Sequence, residues 1–280
     1  MDSAVLLDLV ARATGPASLP GQIVVAHFDH GIRANSAADA EFVKKLAKKY
    51  KVPFELGKGS LGEQASEEEA RQARYGLLRQ LQKKHAPAEI VTAHHQDDLV
   101  ETIAMNLVRG TGWRGLAPMS ANLQRPLLDF SKVELVNYAI RNNLDWIEDE
   151  TNYTEKYFRN RIRSLLLKMT PEQRREVLLL NAKQRLLRDQ IERALKPVKG
   201  VDTLKRKFLL GLPAKVAVEV LRSWTDERLT EKQVKKLLKD IKDASGGIDL
   251  QPGGGLEVKL RRGELRVNKL RSGGVKRPPL

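Results

Sequence analysis

Short β-branched runs alternate with amphipathic helical stretches through the first half of the chain, and this alternation restricts the fold more than any other feature. Gln22-Ile23-Val24-Val25-Ala26 is apolar enough for a strand buried on both faces. A helical pattern follows, capped by Ser36, carried by Phe42, Val43, Leu46 and Ala47, and ending near Tyr50. Pro53-Phe54-Glu55-Leu56 predicts a second strand, and Ser66 with Glu69 forms a capping box for a helix to about His85. Glu89-Ile90-Val91-Thr92-Ala93 predicts a third strand, with a helix from near Gln96 to Arg109 behind it. Gly110, Gly112 and Gly115 mark a loop, after which Ser131 opens a helix through Leu135, Val136 and Ala139. Strands alternating with helices in this order predict an α/β fold with a doubly wound parallel sheet.

From Phe158 onward the pattern turns helical and basic. Val177, Leu180, Leu187 and Ile191 predict a long amphipathic helix between Arg174 and Lys196. Pro197 to Asp202 reads as a linker, followed by helical patterns over 214–224 and 230–244 and a hairpin of Leu256–Leu260 with Glu264–Leu270. The expected organisation is a first domain over 1–165, a connecting helix over 166–197, a smaller, mostly helical basic domain over 198–270 and a disordered tail over 271–280. Charge divides along the same line. Residues 1–150 carry 18 basic and 20 acidic side chains, while 151–280 carry 32 basic and 15 acidic, a net of +17. A surplus of that size suits a polyanion through phosphate neutralisation and counterion release. The chain has no cysteine, which excludes disulfides, thiolate zinc sites and iron–sulfur clusters. No apolar run approaches the roughly 20 residues of a membrane helix, and no signal peptide is visible, so a cytoplasmic protein without membrane partners is expected.

Four of the five histidines fall in two tight groups, each directly after a predicted strand. The first is His27-Phe28-Asp29-His30-Gly31-Ile32-Arg33; the second is His94-His95-Gln96-Asp97-Asp98, with Glu101 and Thr102. Ligands of open parallel sheets bind beyond the carboxyl ends of strands, so both groups stand where a site belongs. Carboxylates there suit Mg²⁺ shared with substrate phosphates; His with Asp also suits a transition metal that activates water. Glu101 lies four residues from Asp97 and three from Asp98, which puts its carboxylate on their helix face. Asp2 and Ser3 open a helical pattern whose first amides attract anions.

These motifs carry a specific resemblance. His27–Arg33, Ala93–Thr102, Arg109-Gly110-Thr111-Gly112, Arg125-Pro126-Leu127, Glu148-Asp149-Glu150-Thr151-Asn152 and Arg159-Asn160-Arg161-Ile162-Arg163 resemble the tRNA(Ile)-lysidine synthetases, within the N-type ATP pyrophosphatase (PP-loop) superfamily. The likeness covers residues 1 to about 165. It implies a Rossmann-like PP-loop domain and an ATP-dependent ligase that joins free L-lysine to C2 of the wobble cytidine of tRNA(Ile) with a CAU anticodon. The base is first adenylated with release of pyrophosphate, and the lysine amine then displaces AMP. ATP and Mg²⁺ are the implied cofactors, and a homodimer is left open. Asp29, Asp97, Asp98 and Glu101 are expected to do the chemistry, with Asp97 and Asp98 also holding Mg²⁺. Asp2, Ser3, His27, His30, Arg33, His94, Arg109, Gly110 and Arg163 are expected around ATP. Arg159 is expected on tRNA, together with Lys205, Arg206, Lys207, Lys232, Lys235, Lys236 and Lys239; the last four share one helix face by their spacing. The alternative for Arg159 and Arg163 is pairing with Glu148, Asp149 and Glu150.

The superfamily's pyrophosphate loop reads Ser-Gly-Gly-x-Asp-Ser, of which this sequence shows Asp2 and Ser3 with Met1 at the variable position. The expectation is an N-terminus that begins inside the motif. Trp113-Arg114 is balanced between base stacking and packing, whereas Trp146 and Trp224 are expected in cores. Two other functions stay open on the residues alone: a metal-dependent phosphohydrolase built on the His/Asp groups, and a non-catalytic tRNA-binding relative. A base-thiolating enzyme that uses its own cysteine is excluded.

Overall fold

The computed structural model describes residues 1–14, 23–29, 36–59, 67–119, 123–147 and 158–270. They divide into two compact units, Met1–Gln184 and Arg185–Leu280. His30, Arg33 and the 148–152 motif lie outside the described residues, as does the expected tail.

In the first unit α1 (Asp2–Thr14) precedes β1 (Val25–Asp29), α2 (Ser36–Lys49) and β2 (Phe54–Lys58). The strands β1 and β2 are parallel and in register from Val25↔Phe54 to Asp29↔Lys58. Each lies later than its predicted run, β1 by three residues at its start. α3 (Glu67–Lys84) follows, and then the third expected strand, which is reduced to one parallel bridge between Val91 and Gln124. Gln124 N donates to Ile90 O and Thr92 N donates to Gln124 O, but Pro126 has no amide to extend the ladder. The extended segment still delivers the chain to α4 (Gln96–Val108). Next come α5 (Lys132–Arg141), opened by Ser131 as the sequence predicts and closed into a capping box by Glu134, α6 (Phe158–Leu166) and the long α7 (Pro171–Leu195).

α1 is apolar on two sides because it is buried on two sides. Val5 packs with Leu127, Leu135, Ala139 and Leu144, and Trp146 joins them; Leu7 and Ala11 pack with Ala47 and Val52. Between these clusters sits Asp8, only 3% exposed. Tyr50 and Tyr138 each donate a hydroxyl hydrogen bond to it at 2.7 Å, and the Arg12 guanidinium donates its Nε–H at 2.7 Å. A carboxylate is tolerated there because three donors replace its water.

The second unit is richer in strands than its sequence pattern suggests. β3 (Thr203–Lys205), α8 (Arg206–Leu210), α9 (Ala214–Trp224) and α10 (Glu231–Asp243) precede β4 (Ile248–Gly253), β5 (Leu256–Arg261) and β6 (Glu264–Lys269). The expected hairpin is β5–β6, and β3 and β4 extend it to a four-stranded antiparallel sheet in the order β3-β6-β5-β4. Both extra strands escape the sequence reading because β3 has three residues and β4 ends in the Gly253-Gly254-Gly255 turn, all three at positive φ. Leu221, Trp224, Val234, Leu237 and Ile241 meet Val258, Leu260 and Leu265 in its core. Among the described residues no helix is long and apolar enough to cross a membrane.

Burial alone would raise the Asp8 pKa, but the hydrogen bonds from Tyr50, Tyr138 and Arg12 prevail and lower it. Its contribution to stability is therefore complete above the unfolded carboxylate pKa of about 3.9 and is lost as pH falls through the lower folded value. Tyr138→Phe should cost about 1–2 kcal/mol in urea unfolding at neutral pH and flatten the acid limb of Tm against pH. An unchanged acid limb would show that Asp8 does not carry this linkage.

Candidate active site

The site is built where the extended segment 91–95 enters α4. His95 is the residue before the helix and is extended (φ −118°, ψ −178°). Neighbouring side chains of extended backbone project to opposite sides, so His94 and His95 face different surroundings.

On the His95 side three aspartates converge. His95 Nε2 lies 3.8 Å from Asp2 and 3.5 Å from Asp98, and His95 Nδ1 lies 3.6 Å from Asp97. The backbone amide of His95 donates to Asp98 Oδ2 at 3.1 Å, which fixes the first turn of α4. Lys132 joins two of the aspartates. Its Nζ donates to both oxygens of Asp2, at 2.8 and 3.0 Å, and its backbone amide donates to Asp97 Oδ2 at 2.7 Å. The other oxygen of Asp97 accepts from Arg174 on α7. One turn along α4, Glu101 is 3% exposed and holds two guanidiniums of α6. Arg163 Nε donates to it at 2.6 Å and Arg159 Nε at 3.0 Å, while Arg159 Nη2 reaches Asp98 at 3.3 Å. Burying so many carboxylates is possible because cations from three other helices meet them.

The electrostatics follow from these contacts. Burial disfavours charge on His95, but Asp97, Asp98 and Asp2 outweigh it and raise its pKa. Burial would also raise Asp97, yet His95, the Lys132 amide and Arg174 hold its carboxyl well below the usual range. Glu101 raises the Arg163 pKa through their hydrogen bond. The His94 side is the reverse. Burial and the positive charges of Arg125, Arg71, Arg74 and Arg159 push His94 down to about 3, and Thr92 Oγ1 lies 2.8 Å from its Nδ1.

The expected residues separate into groups. Asp2, His94, Asp97, Asp98, Glu101, Arg159 and Arg163 share this neighbourhood, and Ser3 follows Asp2 in the first turn of α1. Arg159, expected on tRNA, stands among the carboxylates of α4 instead. His27 is mid-strand in β1, where burial lowers its pKa, and Asp29 ends that strand. Arg109 and Gly110 end α4, about 18 Å from Asp97 by helical rise; Arg109 lies over the Phe158 ring at 5.7 Å. Arg114 similarly covers Trp113, at 4.8 Å. In the second unit Lys205, Lys207, Lys232, Lys235, Lys236 and Lys239 are exposed or half-buried. Lys235 pairs with Glu231, and Arg206 donates to the carbonyls of Lys242 and Ala244 at the end of α10.

Lys132, Arg174, Arg71 and Arg74 are the residues the sequence reading missed. Lys132 has a signal, a cation in the first turn of a capped helix where an anion is the usual choice. Arg174 has none, because basic residues are abundant on α7.

Comparison with known proteins follows the same lines. A family model described as a PP-loop domain matches residues 1–170. The tRNA(Ile)-lysidine synthase of Thermotoga maritima is 38% identical over 208 residues, 70% of this chain and 50% of that protein. That of Haemophilus ducreyi is 34% identical over 220 residues, 72% of this chain and 49% of that protein. The chain thus spans about half the length of the curated relatives it matches. Among solved structures, the U34-tRNA thiolase NcsA from Methanococcus maripaludis aligns with a TM-score of 0.55 at 14% identity, over 66% of this chain and 68% of that one. That likeness shows a shared fold.

Two measurements test the charge arrangement. NMR titration should find His94 neutral until pH approaches 3 and His95 protonated beyond the ordinary 6.5. The His95 contribution to stability is then complete below about 6.5 and is lost as pH rises through the raised folded value. Parallel titration of the two rings would contradict the split. Glu101→Gln should destabilise the chain by about 2–3 kcal/mol, below the ~3–5 of a fully buried pair because Arg163 stays partly exposed. Arg163→Ala should cost less, since Arg159 still neutralises Glu101.

Proposed function

The chain belongs to the PP-loop family, and from that premise we propose that it catalyses ATP-dependent modification of tRNA(Ile), joining lysine to the wobble cytidine. The observation that carries this reading is the carboxylate cluster of Asp2, Asp97, Asp98 and Glu101 at the start of α4, in a chain otherwise similar to tRNA(Ile)-lysidine synthases. An amine nucleophile arrives as an ammonium ion and must lose a proton before it attacks. Carboxylates can hold the ammonium and take that proton. Lys132 already shows how an ammonium seats on this cluster, with Nζ on both oxygens of Asp2.

The residues fit the implied cofactors. Mg²⁺ binds through one or two carboxylates with phosphate oxygens completing its shell, and Asp97 and Asp98 offer that donor set. Among the described residues no group of three or more His, Asp or Glu side chains is arranged to hold a metal alone. ATP supplies an adenylate leaving group, and Mg²⁺ offsets the charge on the departing pyrophosphate. Phosphate is received by the backbone amides at the start of α1 and by the Lys132 ammonium, with the Asp2 carboxylate holding that ammonium. The rest of the assignment is carried by charge: Lys205, Lys207 and the lysines of α10 hold the tRNA backbone without reading its sequence.

The direct test supplies the purified chain with ATP, Mg²⁺, labelled lysine and an unmodified tRNA(Ile) transcript. Label should enter the tRNA only with ATP, with AMP and pyrophosphate released. Asp98→Asn should lower turnover by about 10²-fold or more while the circular dichroism spectrum is retained. Near-normal turnover in that variant removes Asp98 from the chemistry, and binding of tRNA without any incorporation favours a non-catalytic protein. Replacing Lys232, Lys235, Lys236 and Lys239 by Gln should reduce the log–log salt slope of tRNA binding by about 3, at roughly 0.7–0.9 for each phosphate no longer neutralised. An unaltered slope would make this helix face a solvated surface.

A further inference from the structure

The guanidinium side of the 94–95 pair has no role in the reading above. Arg71 and Arg74 occupy successive turns of α3 and bracket one aromatic ring, with their Cζ atoms 4.9 and 5.6 Å from the Tyr75 centroid. Among the described residues neither forms an ion pair with a carboxylate, in contrast to Arg159, Arg163 and Arg174. Arg74 keeps an exposed edge, although partial desolvation lowers its pKa and the Tyr75 side chain is a hydrogen-bond partner. Held against a ring, a guanidinium keeps its planar donors directed outward at little further entropic cost. Their charge reaches His94, whose imidazole is neutral at any ordinary pH and so adds no competing cation. Two guanidiniums held against one ring without a carboxylate partner, beside a polar neutral imidazole, form a receptor for an anion with several oxygens.

We propose that Arg71 and Arg74 form a subsite for a backbone phosphate of an RNA substrate, distinct from the place of the nucleotide. The partners of each group favour the RNA backbone over the nucleotide as the phosphate source. Asp2 and Lys132, the residues nearest to the pyrophosphate motif, are on the His95 side. Arg71 and Arg74 act on His94, together with Arg159, which also pairs with Asp98 and Glu101. A base splayed into the crevice carries its own flanking phosphates past the mouth of the site, and these need cations that a nucleotide has not taken. The proposal rests on the tRNA reading for its choice of RNA; the pairing of the two arginines does not.

The test is equilibrium binding of an unmodified tRNA(Ile) transcript to the full chain across a range of KCl concentrations, beside ATP binding to the same samples. Arg71→Gln/Arg74→Gln should lower the log–log salt slope by about 1–2 and weaken binding several-fold at low salt, with ATP affinity unchanged. Arg71→Lys/Arg74→Lys should keep most of the slope, since the charge remains. If the double Gln variant loses its circular dichroism melt, Arg74→Gln alone, at an exposed position, should still lower the slope by roughly 0.7–0.9. Unchanged RNA binding by a folded variant overturns the subsite. Loss of ATP affinity with an unchanged RNA slope assigns the arginines to the nucleotide and also overturns it. A parent chain that binds no RNA fails earlier and overturns the tRNA reading along with the inference.

Discussion

Neutralisation of the carboxylates at the start of α4 is the interaction on which the first unit depends. Asp97 and Asp98 occupy the first turn of one helix and Glu101 the next, with Asp2 facing them from α1. Left in an apolar crevice they would repel one another and remain protonated. Lys132 on α5, Arg159 and Arg163 on α6 and Arg174 on α7 remove that penalty. Helices α1, α5, α6 and α7 are therefore tied to one cluster by charge, and the apolar contacts of α1 and α5 hold the cluster in place from behind.

The neighbouring histidines show how backbone geometry sorts charge. His94 and His95 are adjacent, yet one is surrounded by guanidiniums and the other by carboxylates. A one-residue step in extended backbone is enough, because alternate side chains leave on opposite sides. The start of α4 thus has carboxylates around one imidazole and guanidiniums around the other.

Much of this was legible in the residues. The helix opened by Ser131, the helix opened by Gln96 and the β5–β6 hairpin all rest on contacts within a few residues, which sequence patterns record directly. So does the shared face of Asp97, Asp98 and Glu101. Strands were less legible: β1 starts three residues beyond the start of its predicted run, and the third strand shrinks to the Val91–Gln124 bridge because its partner ends at Pro126. β3 and β4 were invisible because each is stabilised by pairing with β5 or β6 rather than by its own pattern.

The sequence by itself determined the α/β order of elements, the placing of the acidic group at the start of α4, and the concentration of positive charge after residue 150. These depend on local periodicity, capping and composition. Only the tertiary structure decided which cation answers which carboxylate. Arg174 reaches Asp97 across 77 positions and Lys132 reaches Asp2 across 130. Every basic side chain can in principle satisfy any carboxylate, so the choice is made by which helices pack together, and that information lies in the fold rather than in any stretch of the chain.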